Sequence, residues 1–271
     1  MNFEDTFIGR PNTKQTYKSL LNKHIKTLIK ETHCKSFNKD HMITCLRQWE
    51  INGLSVSTRQ TLLRLTKNYV KFYGGPDIKI KHLLQNLERS EQQKEITVLS
   101  KTEAELLMRT CHRLEPKFYP ILLLALHAGL RRGEIFGLLC GDIDLFKNKI
   151  RVAHSYTGPT KNGKTRYVPM SDELSKEMLK ARNLLMRPVN TKIFEIMNPN
   201  PILRRLCAHA GLQMIRFHDL RHTFASLALE KGISPKQVAN WLGHSNVNTT
   251  LSLYWHLNKD ETDINSFLPG G

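Results

Sequence analysis

Two arginines, a histidine, a lysine and a tyrosine, all in the second half of this 271-residue chain, make a set able to break a phosphodiester. Arg131 lies in Ala128-Gly-Leu-Arg-Arg-Gly-Glu134, Lys161 in Gly158-Pro-Thr-Lys-Asn-Gly163, His218 and Arg221 in His-Asp-Leu-Arg, and Tyr254 near the end of the chain. Attack on a phosphodiester pushes negative charge onto two non-bridging oxygens. Forked, permanently charged guanidiniums suit that charge, so Arg131 and Arg221 form the candidate clamp. A tyrosine hydroxyl, with an ordinary pKa of about 10, is a weak nucleophile until a neighbour takes its proton or steadies its oxyanion. His218 is the candidate base. The leaving 5′ oxygen needs a proton, and a lysine on a flexible hairpin can bring it, which selects Lys161 with Lys164 as its rival. Glu134, three residues beyond Arg131, can orient that arginine or cap a backbone amide.

The overall charge agrees with a polyanionic partner. Lys and Arg number 41 against 24 Asp and Glu, a formal net charge of +17, the imbalance expected where phosphates are neutralised. The five cysteines, Cys34, Cys45, Cys111, Cys140 and Cys207, are odd in number and contain no C-x-x-C pair, which argues against a disulfide framework or a zinc knuckle. Cys34, His41 and Cys45 lack a second ligand pair, so they read as buried or idle groups and no metal is expected. The first ten residues carry no apolar signal core, and the longest apolar run, Ile121 to Leu126, is far too short for a bilayer. A soluble, cytoplasmic, nucleoid-associated protein with no membrane partner is the expectation.

The elements that must position these residues divide into two groups. From Asn12, apolar Tyr17, Leu20, Leu21, Ile25, Leu28 and Ile29 recur at helical spacing with lysines between them, predicting one amphipathic helix with a basic outer face. Further helices are expected over His41 to Glu50, from Ser57 or Thr58 to the Gly74-Gly75-Pro76 stop, and around Leu83, Leu84 and Leu87. LERSEQQKE is polar and without apolar period, so the domain boundary falls within Glu88 to Ile96, giving domains 1–92 and 96–271. Ser100-Lys-Thr-Glu103 is a capping box opening a helix to about His112, and Phe118 to Ala128 is a uniformly apolar, central helix ending at Gly129. Ile150 to Tyr156 and Thr165 to Pro169 read as strands of a small antiparallel sheet with a mobile hairpin between them. From Ser171 to about Trp255 the chain reads as helical again, with Ser234-Pro235 as an N-cap and N1 pair.

Taken in order, Arg131 in its Gly-Leu-Arg turn, hairpin Lys161, the H-x-x-R of His218 and Arg221, the L-G-H of Leu242 to His244 and Tyr254 resemble the tyrosine recombinases, the family of phage and transposon integrases, Xer recombinases and Cre. Arg221 and His244 lie 23 positions apart, and Tyr254 follows ten after His244 within a T-T-L-x-x-Y stretch. No member of the set is informative alone; the resemblance rests on their joint order and spacing. It covers roughly Ile96 to Leu257 by motif. It implies a mainly α fold with a small antiparallel β-sheet, in which an N-terminal helical core-binding bundle (SAM-like) precedes a mixed α/β catalytic domain, the two forming a clamp on duplex DNA. It implies strand cleavage and rejoining through a 3′-phosphotyrosine without metal, ATP or any cofactor, on a specific recombination site, in a homotetramer and with accessory DNA-bending proteins as further partners. His244 is similar to the family position that bonds or packs beside the phosphate. The tail bearing Ile264, Phe267 and Leu268 is expected to pack on a neighbouring protomer or on its own domain. Groove contacts are assigned to Thr58, Arg59 and Gln60.

Two departures stand out: Ala128 replaces the small hydroxyl residue usual before the turn, and Trp255 and His256 follow the nucleophile, His256 being a rival to His218 and His244. Three other readings remain open at this point. One is a metal-dependent nuclease using Glu134, Asp142 and Asp144. Another is a catalytically inactive DNA-binding protein of the same fold. The third is a type IB topoisomerase.

Overall fold

The computed structural model describes residues 2–9, 11–90, 97–159, 163–181, 188–244, 246, 247, 250 and 251. Two compact units divide the chain, Met1–Lys94 and Glu95–Gly271.

The first unit is helical. Helix α1 (Pro11–Leu20) passes into a π-turn, Leu21–Ile25, instead of continuing as the single long helix expected from the apolar period. The widened turn closes with Lys26 N donating to Leu21 O, while the indole of Trp49 donates to His24 O at 3.2 Å. A side chain bonding into the ladder is a usual cause of such a break, and only tertiary contact supplies it. Helix α2 (Lys39–Ile51) starts where Asn38 Oδ1 accepts from the amides of Asp40 and His41. Helix α3 (Val56–Phe72) is capped by Ser55 and starts one to two residues earlier than expected, and α4 (Lys81–Ser90) runs into the polar stretch read as linker. Trp49, Leu62, Leu63, Tyr69, Leu21 and Ile25 form the core. Gly75 lies so close to Cys34 that an added Cβ would sit 2.1 Å from its carbonyl oxygen, so the chain reversal after α3 requires glycine there.

The second unit is built around one buried helix. Ser100 and Glu103 form the capping box of α5 (Lys101–Leu114), and α6 (Tyr119–Ala128) is buried along nearly its whole surface. Helix α6 ends at Gly129, which takes the left-handed conformation at φ 61°, and the chain turns there into Arg131 and the single-turn α7 (Arg132–Ile135). A three-stranded antiparallel sheet follows, in the order β1 (Ile143–Asp144), β2 (Lys149–Val152), β5 (Arg166–Pro169), with Ile150 opposite Val168 and Val152 opposite Arg166. Strand β1 escaped the sequence reading because two residues carry no period.

The strand expected over Ile150 to Tyr156 breaks at Ala153, and β3 (His154–Ser155) pairs separately with β4 (Gly158–Pro159). The break has a local cause. Tyr156 N donates to Gly133 O at 2.9 Å, and a Cβ on Gly137 would lie 2.7 Å from the Ser155 carbonyl carbon. The α7 turn therefore holds β3 away from the first sheet. Gly137→Ala is expected to lower stability by about 1–3 kcal/mol, because backbone must move to admit the methyl. Urea unfolding measures this, and an unchanged midpoint would show that β3 yields freely.

Helices α8 (Asp172–Ala181), α9 (Asn200–Ala210), α10 (Asp219–Glu230) and α11 (Pro235–Leu242) complete the described unit. The expected continuous helical remainder is interrupted over 188–199, where Pro188, Asn190, Asn198 and Pro199 disfavour helix and Lys192 bridges to Leu139. Ser234 caps α11 by accepting from Gln237 N, with Pro235 at its first position. Among the described residues no helix is long and apolar enough to cross a membrane.

Candidate active site

Three elements deliver the site residues. The α6–α7 turn carries Arg131 and Glu134, the start of α10 carries His218 and Arg221, and the C-terminal end of α11 leads into His244. The structure brings these five together. Tyr254, Lys161, Trp255, His256 and the tail from 252 onward lie outside the described residues; Lys164 is exposed.

The meeting point is the C-terminus of α11. A helix end leaves its last carbonyls without intrahelical partners and concentrates partial negative charge there. Arg221 Nη2 takes up Leu242 O at 2.6 Å and its Nη1 takes up Gly129 O at 2.8 Å, so one guanidinium ties α11 to the end of α6. Arg131 approaches the same end, with Nη1 3.3 Å from Leu242 O and Nη2 3.3 Å from Gly243 O. Arg221 is buried, and burial followed by the adjacent Arg131 charge lowers its pKa to about 9, with Glu134 opposing. It stays charged at neutral pH.

Glu134 engages both the backbone and the side chain of Arg131. Its Oε2 accepts from the Arg131 amide at 2.9 Å and its Oε1 from Arg131 Nη1 at 2.8 Å. Burial alone would raise its pKa, but the Arg166 hydrogen bonds and charge, with Arg131, outweigh that and hold it at about 2.

His218 precedes the first turn of α10, with an edge open to solvent and its ring 4.8 Å from that of His222, nearly perpendicular. Burial, then His222, Arg221 and Arg131, pull its pKa down to about 4. His244 is held at about 4 as well, by burial, Arg221 and Arg131, and its Nδ1 lies 2.8 Å from Thr250 Oγ1. Both imidazoles are therefore neutral at pH 7, able to accept a proton or share one.

Two neighbours escaped the sequence reading. Arg166, on β5, donates Nη1 and Nη2 to the two oxygens of Glu134 at 2.9 and 2.8 Å. A signal existed: strand alternation puts Arg166 on the same face as buried Val168, an unusual place for a charge. His222, four residues after His218, shares its helix face.

The groove assignment at the start of α3 places less well. Arg59 is buried and its guanidinium pairs with Glu50 at 2.5 Å, which joins α2 to α3; Thr58 and Gln60 are half-buried beside it. The carboxylates of the nuclease reading are engaged separately. Glu134 is gripped by arginines, Asp142 accepts from Leu139 N and Arg151, and Asp144 accepts from Lys147 N. Among the described residues no three His, Cys, Asp or Glu side chains are grouped to hold a metal ion. The described cysteines are free and buried.

Residues 97–261, more than half of the chain, match the model of the phage integrase family. The chain belongs to the phage integrase family. The resemblance to tyrosine recombinases read from the motifs is thus borne out. The tyrosine recombinase XerA of Saccharolobus solfataricus is 34% identical over 63% of this chain and 55% of its own length. The chain spans about half the length of the curated relatives it matches first. Among solved structures, the Tn1549 transposon integrase in complex with circular intermediate DNA superposes with a TM-score of 0.76 at 20% identity, covering 97% of this chain and 94% of that one. A lambda integrase dimer bound to a core site superposes with a TM-score of 0.70 at 17% identity, covering 96% and 94%. At those identities the likeness is one of fold, and it agrees with the mainly helical architecture and small antiparallel sheet found here.

Proposed function

We propose that this chain is a site-specific DNA recombinase, cutting and rejoining strands of duplex DNA through Tyr254. The supporting observation is the convergence of Arg131 and Arg221 on one helix end beside a neutral His218, in a chain of this family. In this reading the Tyr254 oxygen attacks phosphorus and a phosphotyrosine ester forms. The bond from phosphorus to the 5′ oxygen breaks, and that oxygen leaves as a hydroxyl after gaining a proton. Arg131 and Arg221 neutralise the charge that grows on the non-bridging oxygens, a stabilisation strongest where water is excluded. His218 accepts the tyrosine proton, Lys161 supplies the proton to the leaving oxygen, and His244 bonds the phosphate. The ester conserves the energy of the broken bond, so reversal of the same step rejoins the strand, and neither metal nor ATP is required. Duplex DNA is the substrate, bound with strong salt dependence by the basic surface, and exchange of strands between two paired duplex sites, one protomer per cut strand, calls for a tetramer.

The test is to map covalent protein–DNA junctions across the DNA of the source cell after denaturing, stringent recovery. The expected result is adducts at one recurring sequence, attached through Tyr254 and absent for Tyr254→Phe. Chelator-sensitive cleavage surviving Tyr254→Phe, or adducts scattered without a common sequence, would overturn the reading in favour of a nuclease or a topoisomerase.

A further inference from the structure

We propose that Arg166 is a positioning residue of this active site, fixing where Arg131 and Arg221 present their charge to the phosphate; the inference rests on the function proposed above. Arg166 is one of three guanidiniums at the α11 terminus, and its side chain is 11% exposed. Its three nitrogens are all used within the protein: Nη1 and Nη2 on Glu134, and Nε on Trp241 O at 2.6 Å. Paired, parallel N–H bonds to both carboxylate oxygens fix distance and plane together, which a single contact does not.

Three consequences follow from this placement. First, Glu134 also lies 3.9 Å from Arg221, so its charge attracts both members of the clamp. Arg166, on β5, occupies both oxygens and limits how far Glu134 can draw Arg131 and Arg221 to itself. Three guanidiniums against one carboxylate leave the cluster with net positive charge for an incoming phosphate to balance. Second, the turn carrying His244 rests on Arg166. A Cβ on Gly243 would lie 3.0 Å from Arg166 Nη1, and Gly243 has φ 66°, so glycine allows both the close approach and the left-handed turn. Third, Arg166 opens β5, into which the chain runs directly from the segment containing Lys161 and Lys164, and it sits opposite Val152. One side chain thus ties the strand next to that segment to the carboxylate that holds Arg131 and to the helix end that Arg221 grips.

The experiment uses the full chain and a nicked duplex carrying the site found by junction mapping. Covalent-complex formation and duplex affinity are measured for wild type, Arg166→Gln, Arg166→Lys, Glu134→Gln and the Glu134→Gln/Arg166→Gln pair. Arg166→Gln is expected to slow adduct formation about 100-fold, the size of effect that ångström-scale misplacement produces, with affinity changed less than about threefold. Arg166→Lys, able to reach one oxygen, recovers part of the loss. Because Arg166 acts chiefly through Glu134 and only secondarily through Trp241 O and the Gly243 turn, the two losses are expected not to multiply, the double variant being at most about threefold slower than Glu134→Gln alone. A loss that multiplies in the double variant, a loss confined to affinity, or a folded Arg166→Gln or Arg166→Lys reacting at the wild-type rate would overturn the inference. Absence of any adduct with the wild-type chain would instead overturn the function on which it rests.

Discussion

Arg221→Lys is expected to slow covalent-complex formation by about 100- to 1000-fold, the cost of losing one well-placed donor to transition-state charge. The charge survives the exchange, so the loss isolates geometry. The Arg221 fork spans Gly129 O and Leu242 O, 2.8 and 2.6 Å from its two terminal nitrogens, and holds a buried planar cation at a fixed angle to Arg131. An ammonium is a point charge without the planar fork, so it cannot hold both carbonyls at the fork's fixed spacing and plane. Adduct formation on the nicked duplex, with thermal unfolding as control, measures the effect. A folded lysine variant within about fivefold of the wild-type rate would remove Arg221 from the clamp.

Glu134→Gln is expected to destabilise the second unit by about 3–5 kcal/mol at pH 7, since it leaves Arg131, Arg166 and Arg221 at one helix end with no anion among them. The pH dependence separates this from loss of packing. Glu134 is held at about 2 against an ordinary 4.5, so the unfolded chain takes up its proton first on acidification. The depressed value stabilises the fold by about 3 kcal/mol above pH 5, and that contribution is lost as pH falls from about 4.5 towards 2. His218 and His244, both near 4 when folded, act in a higher window: stability falls as pH drops from about 6.5 towards 4, because the unfolded imidazoles protonate first. Urea unfolding between pH 7 and 3 should show both declines in the wild type and only the upper one in Glu134→Gln. An identical profile below pH 4.5 would mean that Glu134 does not carry the acid sensitivity.

Much of the local structure was legible because its causes are local. The Ser100 and Glu103 capping box, the left-handed stop at Gly129 and the Ser234-Pro235 start of α11 each depend on side chains within a few residues of one another. Apolar uniformity identified α6 as central for a similar reason, since no exposed face could tolerate it. Failures came where distant residues intervened. The first helix breaks at a carbonyl taken by Trp49, 25 residues away, and the strand after Ile150 breaks where Tyr156 is captured by Gly133. Arg59, assigned to groove contacts with Thr58 and Gln60, is paired with Glu50 of α2, a contact the local sequence does not announce.

Residue order and spacing alone determined the family and named Arg131, Glu134, His218, Arg221 and His244 as candidates, because the proposed phosphodiester chemistry would demand particular groups, whose types are written in the chain. Only the tertiary structure decided how those groups are held. The partners that set their charge and direction, Arg166 for Glu134 and the carbonyls of Leu242 and Gly243 for Arg131, are 32 to 112 residues away in contacts that no local period encodes. Hydrogen bonds and Coulomb forces depend on distance in space, and folding alone makes these positions neighbours.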